Sequence, residues 1–372
     1  MGRVSTIVRL GGFLILLSAV CCLSSGETLD HCRQISLDPR LEYTFSAAWM
    51  PQNDGFLIAD YRNQRILHYD LDGELEREIK GSGSHRFVLP GQVYAREDGF
   101  WVKDGPERFL FFDRDFKPTR SLDLRPPFVP VPYREGLESL AILEQALAGD
   151  EIYGFGYART VERAILGFHR VHVGESIALE AVVEEIDPYS NAQKFHNVSG
   201  PEIAEAGEEI YGLLFTDPPG ILRLSPPAGR LASFPGAFLR LPRMIEAPGN
   251  LAGSAQRFNA LETMKAPTAL YGWGDLLYLV TRRPGAGERT LWELHAIDPE
   301  ADRLLRTLVL PTVAPHIILA PGAEFWLIVE KGRVDPEGWQ EISTALLVPA
   351  SWFVEPTSPL TGEGAVVCEK AG

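Results

Sequence analysis

The chain carries eight histidines, His31, His68, His85, His169, His172, His196, His295 and His316. They are the first residues to test for metal or acid–base chemistry. A zinc centre needs three or four converging donors. His169 and His172 stand three apart in an apolar run that reads as a strand. Their side chains therefore fall on opposite faces of a sheet and do not chelate together. The chain has no HExxH, no CxxC, no GxSxG elbow and no Walker-type phosphate loop. It has no calcium loop of alternating Asp with Gly. "GSGSH" at Gly81–His85 puts glycine, serine and histidine side by side, a combination that invites a catalytic reading.

The elements that would position these residues come from an internal repeat. "GFLIADYRNQRILHYDLDGEL" begins at Gly55, and "GFWVKDGPERFLFFDRDFKP" begins at Gly99. Both read as strand, polar turn, strand and second turn. Looser copies start at Gly149, Gly207, Gly274 and Gly322, which makes six units. Short apolar runs precede most of them: "FSAAWMP", "PGQVYAR", "LESLAIL" and "APHIILAP". Short strands recurring at a spacing of about 45–65 residues read as β-propeller blades, each covered by its neighbours. The 28 Pro and 35 Gly fit many turns and few long helices. The expected fold is all-β, a six-bladed β-propeller with four-stranded antiparallel blades. "PPFVPVPY" (Pro126–Tyr133) and "EAPGNLAGSAQ" (Glu246–Gln256) read as insertions between units.

The first unit resembles the NHL repeat of six-bladed propellers. The residues that carry the resemblance are Gly55, Asp60, Asn63, Arg65, Ile66, Asp70 and Gly73, then Gly81, Gly83, Phe87 and Pro90. The second unit keeps Gly99, Asp104 and Arg108 among them. The pattern implies that "GSGSH" is a Gly-rich loop between blades. Asp60 with Arg65, and Asp104 with Arg108, read as scaffold pairs: a carboxylate at a strand end and an arginine returning across the hairpin. Asp72-Gly73 is a hairpin-turn pair. His68 and His295 fall on third strands, away from the axis. His316 falls on an inner strand, as a channel-lining residue or a single candidate ligand.

Six-bladed propellers include gluconolactonase-like hydrolases and amidating lyases that hold an axial metal on acidic, Asn and His side chains. No such set is matched here, so no cofactor is expected. Axial calcium or zinc belongs to the alternative reading. The loops between second and third strands would share one face of the disc. They hold ten basic and seven acidic residues. Arg62, Arg159, Arg163, Arg282, Arg283 and Arg289 are the candidate ligand-facing residues there. Such a face would attract an anionic small ligand, a glycan or an acidic protein partner.

The net charge is −15, which argues against nucleic-acid partners. Residues 1–26 read as a signal peptide: Arg3 and Arg9, an apolar run from Leu10 to Leu23, then small residues at Leu23–Gly26. Residues 27–372 read as one propeller domain, secreted or periplasmic and monomeric, with no membrane span in the mature chain. Cys21 and Cys22 would leave with the signal. Cys32 and Cys368 would remain, and in an oxidising compartment they would pair. The strand-like "HCRQISLD" would complete the blade begun at Gly322 and bring them together. Asn197 begins an N-x-S acceptor. The expected function is an exported, non-enzymatic binding module using one face or the central channel. The alternative is a metal-dependent, lactonase-like hydrolase or lyase with an axial site.

Overall fold

The computed structural model describes residues 28–50, 54–105, 108–124, 137–148, 151–160, 164–173, 177–186, 203–214, 220–225, 231–232, 266–284, 289–333, 335, 341–354 and 367–370. The signal segment, both Pro/Gly-rich insertions, Asn197 and Arg163 lie outside them.

The chain opens with β1 (Thr28–Leu41). A first sheet follows in the order β2 (Ala47–Trp49), β3 (Phe56–Asp60), β4 (Arg65–Tyr69) and β5 (Leu75–Ile79). The second sheet is β6 (Pro90–Arg96), β7 (Gly99–Asp104), β8 (Arg108–Asp113) and β9 (Pro118–Asp123). The third is β10 (Leu137–Ala148), β11 (Glu151–Thr160), β12 (Ala164–Val173) and β13 (Ile177–Ile186). The fourth is β14 (Ile203–Ala206), β15 (Glu209–Leu214), β16 (Gly220–Arg223) and β17 (Leu231–Ala232). The fifth is β18 (Ala266–Trp273), β19 (Leu276–Pro284), β20 (Thr290–Asp298) and β21 (Arg303–Val309). The last takes β22 (His316–Ala320), β23 (Phe325–Lys331) and β24 (Ile342–Pro349), then β1, then β25 (Val367–Lys370). One short helix, α1 (Ala350–Val354), follows β24.

Each four-stranded sheet is an antiparallel meander in chain order, which is the form of a propeller blade. The last sheet departs from the expected four strands. β1 pairs antiparallel with β24, as the sequence reading required, but β25 then adds a fifth strand parallel to β1. Arg33 of β1 stands opposite Glu369 of β25. Cys32 is buried and disulfide-bonded.

The core lies between sheets and not at a single centre. One apolar cluster joins the fifth sheet to the last, another the last to the first, and others join the first to the second and the fourth to the fifth. Trp326 shows the pattern. It is fully buried, stacks on Phe353 of α1 at 4.1 Å and meets Tyr278 of β19 edge-on at 4.8 Å. The glycines that open the first two repeat units have a steric reason. Gly55 and Gly99 sit at φ of 146° and 151°, and a Cβ on either would come within 2.0 Å of a carbonyl oxygen on the neighbouring strand. Among the described residues no helix is long and apolar enough to cross a membrane.

Candidate functional site: the axial cavity

The first strands β2, β6, β14, β18 and β22 line one space, and hydrogen bonds tie several of them together. Trp49 Nε1 of β2 donates to the Ala320 carbonyl at the end of β22 at 2.8 Å. The Leu319 N–H of β22 donates to Tyr271 Oη of β18 at 3.0 Å. Ser46 Oγ, just before β2, exchanges two bonds of 3.2 Å with the backbone of Val93 in β6. β14 packs between β10 and β18. The turns after β14 and β18 meet directly, with Gly207 N–H donating to the Gly274 carbonyl at 2.7 Å. Such close approach leaves no room for a side chain at Gly272, where a Cβ would sit 1.5 Å from the Glu205 carbonyl oxygen.

These strands enclose a cavity of about 670 Å³. That is a size suited to a small organic ligand. Its aromatic walls include Trp49, Tyr94, Tyr271 and Trp273. Its charged groups are Arg96, Glu205 and Asp275, with the Gln92 amide nearby. Tyr94 stacks on the buried Trp101 at 4.3 Å and 13°, which fixes its ring. Gln92 Oε1 is buried without a hydrogen-bond partner.

Glu205 is the chemically distinctive member. Loss of surrounding water raises its carboxyl above the ordinary range, and the Arg96 charge pulls it partly back. Its side chain is open to the cavity, yet the walls around it limit hydration. A carboxyl so placed can exchange a proton nearer neutral pH than a surface one.

The sequence-derived residues lie elsewhere. Asp60 Oδ2 accepts bonds from Arg65 Nε at 2.7 Å and Asn63 Nδ2 at 3.0 Å. Asp104 pairs with Arg108, and its other oxygen accepts the Val88 and Leu89 N–H groups at 2.8 and 2.6 Å. Both are scaffold pairs. The described members of the arginine face differ from one another. Arg282 is 2% exposed, because β19 runs through it to Pro284; it donates to Thr290 Oγ1 at 3.2 Å and lies over the Trp292 ring. Arg282 is therefore corrected from a ligand-facing to an interior residue. Arg283 pairs with Glu293 at 3.0 Å. Arg62 and Arg289 are exposed. Arg159 falls within β11. Lys331, counted on the same face, is 4% exposed and donates to the Thr44 carbonyl at 2.9 Å.

Among the described residues the histidines do not converge either. His68 is buried against Phe116 with Glu76 at 3.3 Å, and burial lowers its pKa. His169 is buried with Nε2 3.2 Å from the Gly156 carbonyl oxygen. His295 sits between Thr281 Oγ1 at 2.8 Å and Thr307 Oγ1 at 2.9 Å. His316 is on the inner strand β22, buried, and is not part of the cavity wall. Within Gly81–His85, Gly83–His85 forms a 3₁₀ turn between the first two sheets, in keeping with a loop. Sequence reasoning missed Arg96, Glu205 and Asp275. The usable signal was position: each stands within two residues of the end of a first strand.

No protein family matches the chain, and no curated protein matches it. Solved structures do resemble it in fold. A gluconolactonase from Xanthomonas campestris aligns over 87% of this chain and 91% of its own, at 13% identity and a TM-score of 0.48. A luciferin-regenerating enzyme aligns over 90% and 99%, at 10% identity and 0.46. A calcium-binding protein, regucalcin, from Agrobacterium tumefaciens aligns over 83% and 91%, at 8% identity and 0.41. The propeller part of the sequence resemblance stands. The expectation of a binding module with no chemistry of its own is corrected: the structures similar in fold include a gluconolactonase and a luciferin-regenerating enzyme.

Proposed function

We propose that the protein is a lactonase-like hydrolase or lyase acting on a small organic substrate in the axial cavity. The observation that carries this reading is Glu205, a carboxyl raised by poor hydration, facing an aromatic-walled cavity beside Arg96. In hydrolysis, ionised Glu205 would take a proton from the attacking water and return it to the leaving oxygen. Arg96 would stabilise the negative charge that develops on the carbonyl oxygen. The aromatic walls would hold the substrate and restrict bulk water.

A calcium or zinc centre is not supported by the residues in view. The described cavity wall offers two carboxylates and no His or Cys, and no group of three such donors occurs among the described residues. No step above runs through a metal. We read the last, five-stranded sheet as the sixth blade, and Cys368 as the partner of Cys32, because residue 368 precedes the Glu369–Arg33 pair in β25. Export through residues 1–26 and a monomeric mature protein belong to the same reading.

The test is turnover of a panel of lactones and esters by wild type and Glu205→Gln. The variant is expected to lose roughly 10²–10⁴ in kcat while keeping its thermal transition. The wild-type rate should rise with pH through a group above the ordinary carboxylate range. A variant as active as wild type overturns the role of Glu205. Elemental analysis of protein purified without chelator checks the metal independently.

A further inference from the structure

The walls of the cavity also bear on its ligand, and this inference rests on the catalytic reading above. Trp49, Tyr94 and Trp273 come from three different sheets and present aromatic surface to one space. Tyr94 stacks on Trp101, and both rings line the cavity. Asp275 stands at the joined turns, on the same wall as Glu205. The Asp275 Oδ1 atom lies where a Cβ on Gly207, two residues beyond Glu205, would come within 3.1 Å of it. Arg96 is the single basic residue on the described wall, and its charge acts on Glu205. The wall therefore carries one net negative charge, in a chain of net charge −15.

Aromatic faces combined with a surplus of carboxylate attract organic cations. Ring quadrupoles favour positive charge above their faces, most strongly for Trp. The acidic field of the whole chain would concentrate cations near the opening. A planar anion would meet the same rings but two carboxylates. We propose that the axial cavity recognises a substrate bearing a quaternary ammonium or similar organic cation, with the aromatic walls and Asp275 holding the cationic head. Glu205 and Arg96 then face the ester end.

Calorimetric titration of the full chain with choline tests this. The comparison ligand is the uncharged alcohol in which carbon replaces the choline nitrogen, and benzoate serves as the anionic control. Choline is expected to bind roughly tenfold or more tightly than the alcohol, with weaker binding at high salt, and benzoate should not compete. Asp275→Asn should weaken choline several-fold while leaving the alcohol and the thermal transition unchanged, and Trp273→Phe should weaken choline more than it weakens the alcohol. Equal binding of choline and alcohol, preferred binding of benzoate, or no binding of choline overturns the proposal. The two readings fail separately. Choline binding with no turnover of choline esters or lactones sinks the hydrolase and keeps the cation site. Turnover of neutral lactones without choline binding does the reverse.

Discussion

The two ends of the blade strands treat charge in opposite ways. Where first strands turn into second strands, Arg96, Glu205 and Asp275 face a cavity and water. Where second strands end, Asp60, Asp104, Arg282 and Lys331 are all buried. The buried set is tied into the scaffold. Asp104 clamps the segment entering β6, and Lys331 links the last sheet to the segment entering β2. A charge committed to structure has its geometry and hydrogen bonds fixed by the backbone. A charge on a cavity wall is placed where a ligand can also meet it. The difference separates scaffold from site in a fold whose blades otherwise look alike.

The sharpest way to break this contrast is at Asp104. Asp104→Ala removes the Arg108 pair and leaves two backbone N–H groups, of Val88 and Leu89, without their acceptor. A loss of roughly 3–5 kcal/mol in denaturant unfolding is expected. Asp60→Ala should cost less. Asp60 accepts only from side chains, and its Oδ1 atom is already buried without a partner. Equal costs at the two sites would mean that the backbone clamp adds nothing.

Lys331 sharpens the contrast through pH. Its ammonium is buried, and burial lowers its pKa from the ordinary 10.5 to about 7. Between these values the unfolded chain holds a proton that the folded chain has released, so stability should rise with pH across that window. Below about pH 7 the folded protein must bury the charge and carries the full penalty. Tyr43, whose ring lies 5.7 Å from Lys331 Nζ, is pushed up to about 12 by burial and stays neutral throughout. Lys331→Met should flatten the slope and gain up to a few kcal/mol at neutral pH, less about 1 for the lost bond to Thr44. An unchanged slope, measured by urea unfolding from pH 7 to 10, would assign the titration elsewhere.

Much of the scaffold was legible in the sequence, and the site was not. Gly55 and Gly99 recur because no Cβ fits beside the neighbouring carbonyl, and that constraint leaves a mark at every good copy of the repeat. Asp60–Arg65 and Asp104–Arg108 recur because the same hairpin is pinned in the same way. "HCRQISLD" was readable as a closing strand because β24 lacked a partner in sequence order. The added strand β25 was not readable, since its four residues, Val367–Lys370, are too few to carry a strand pattern. Arg96, Glu205 and Asp275 each occur once, on different sheets. No spacing connects them, because the ring alone brings them together. Arg282 was misplaced because its strand runs on through Pro284, past the expected start of the turn at Thr281, and a strand end cannot be fixed from composition alone.

Arg282 and Arg289 give the smallest and most pointed test, because composition treats them as equivalent. Arg282 packs inside the fifth sheet, over Trp292 and against Thr290. Arg282→Ser removes that packing as well as the charge, and a loss of roughly 2–3 kcal/mol is expected. Arg289 is exposed, and Arg289→Ser should stay within about 0.5 kcal/mol of wild type. Neither change should alter binding of a ligand held in the axial cavity, provided the Arg282→Ser protein is measured below its unfolding transition. If Arg289→Ser weakened binding while Arg282→Ser merely destabilised, the loop face would regain a functional role. The division between a structural rim and a chemical one would then have to be redrawn.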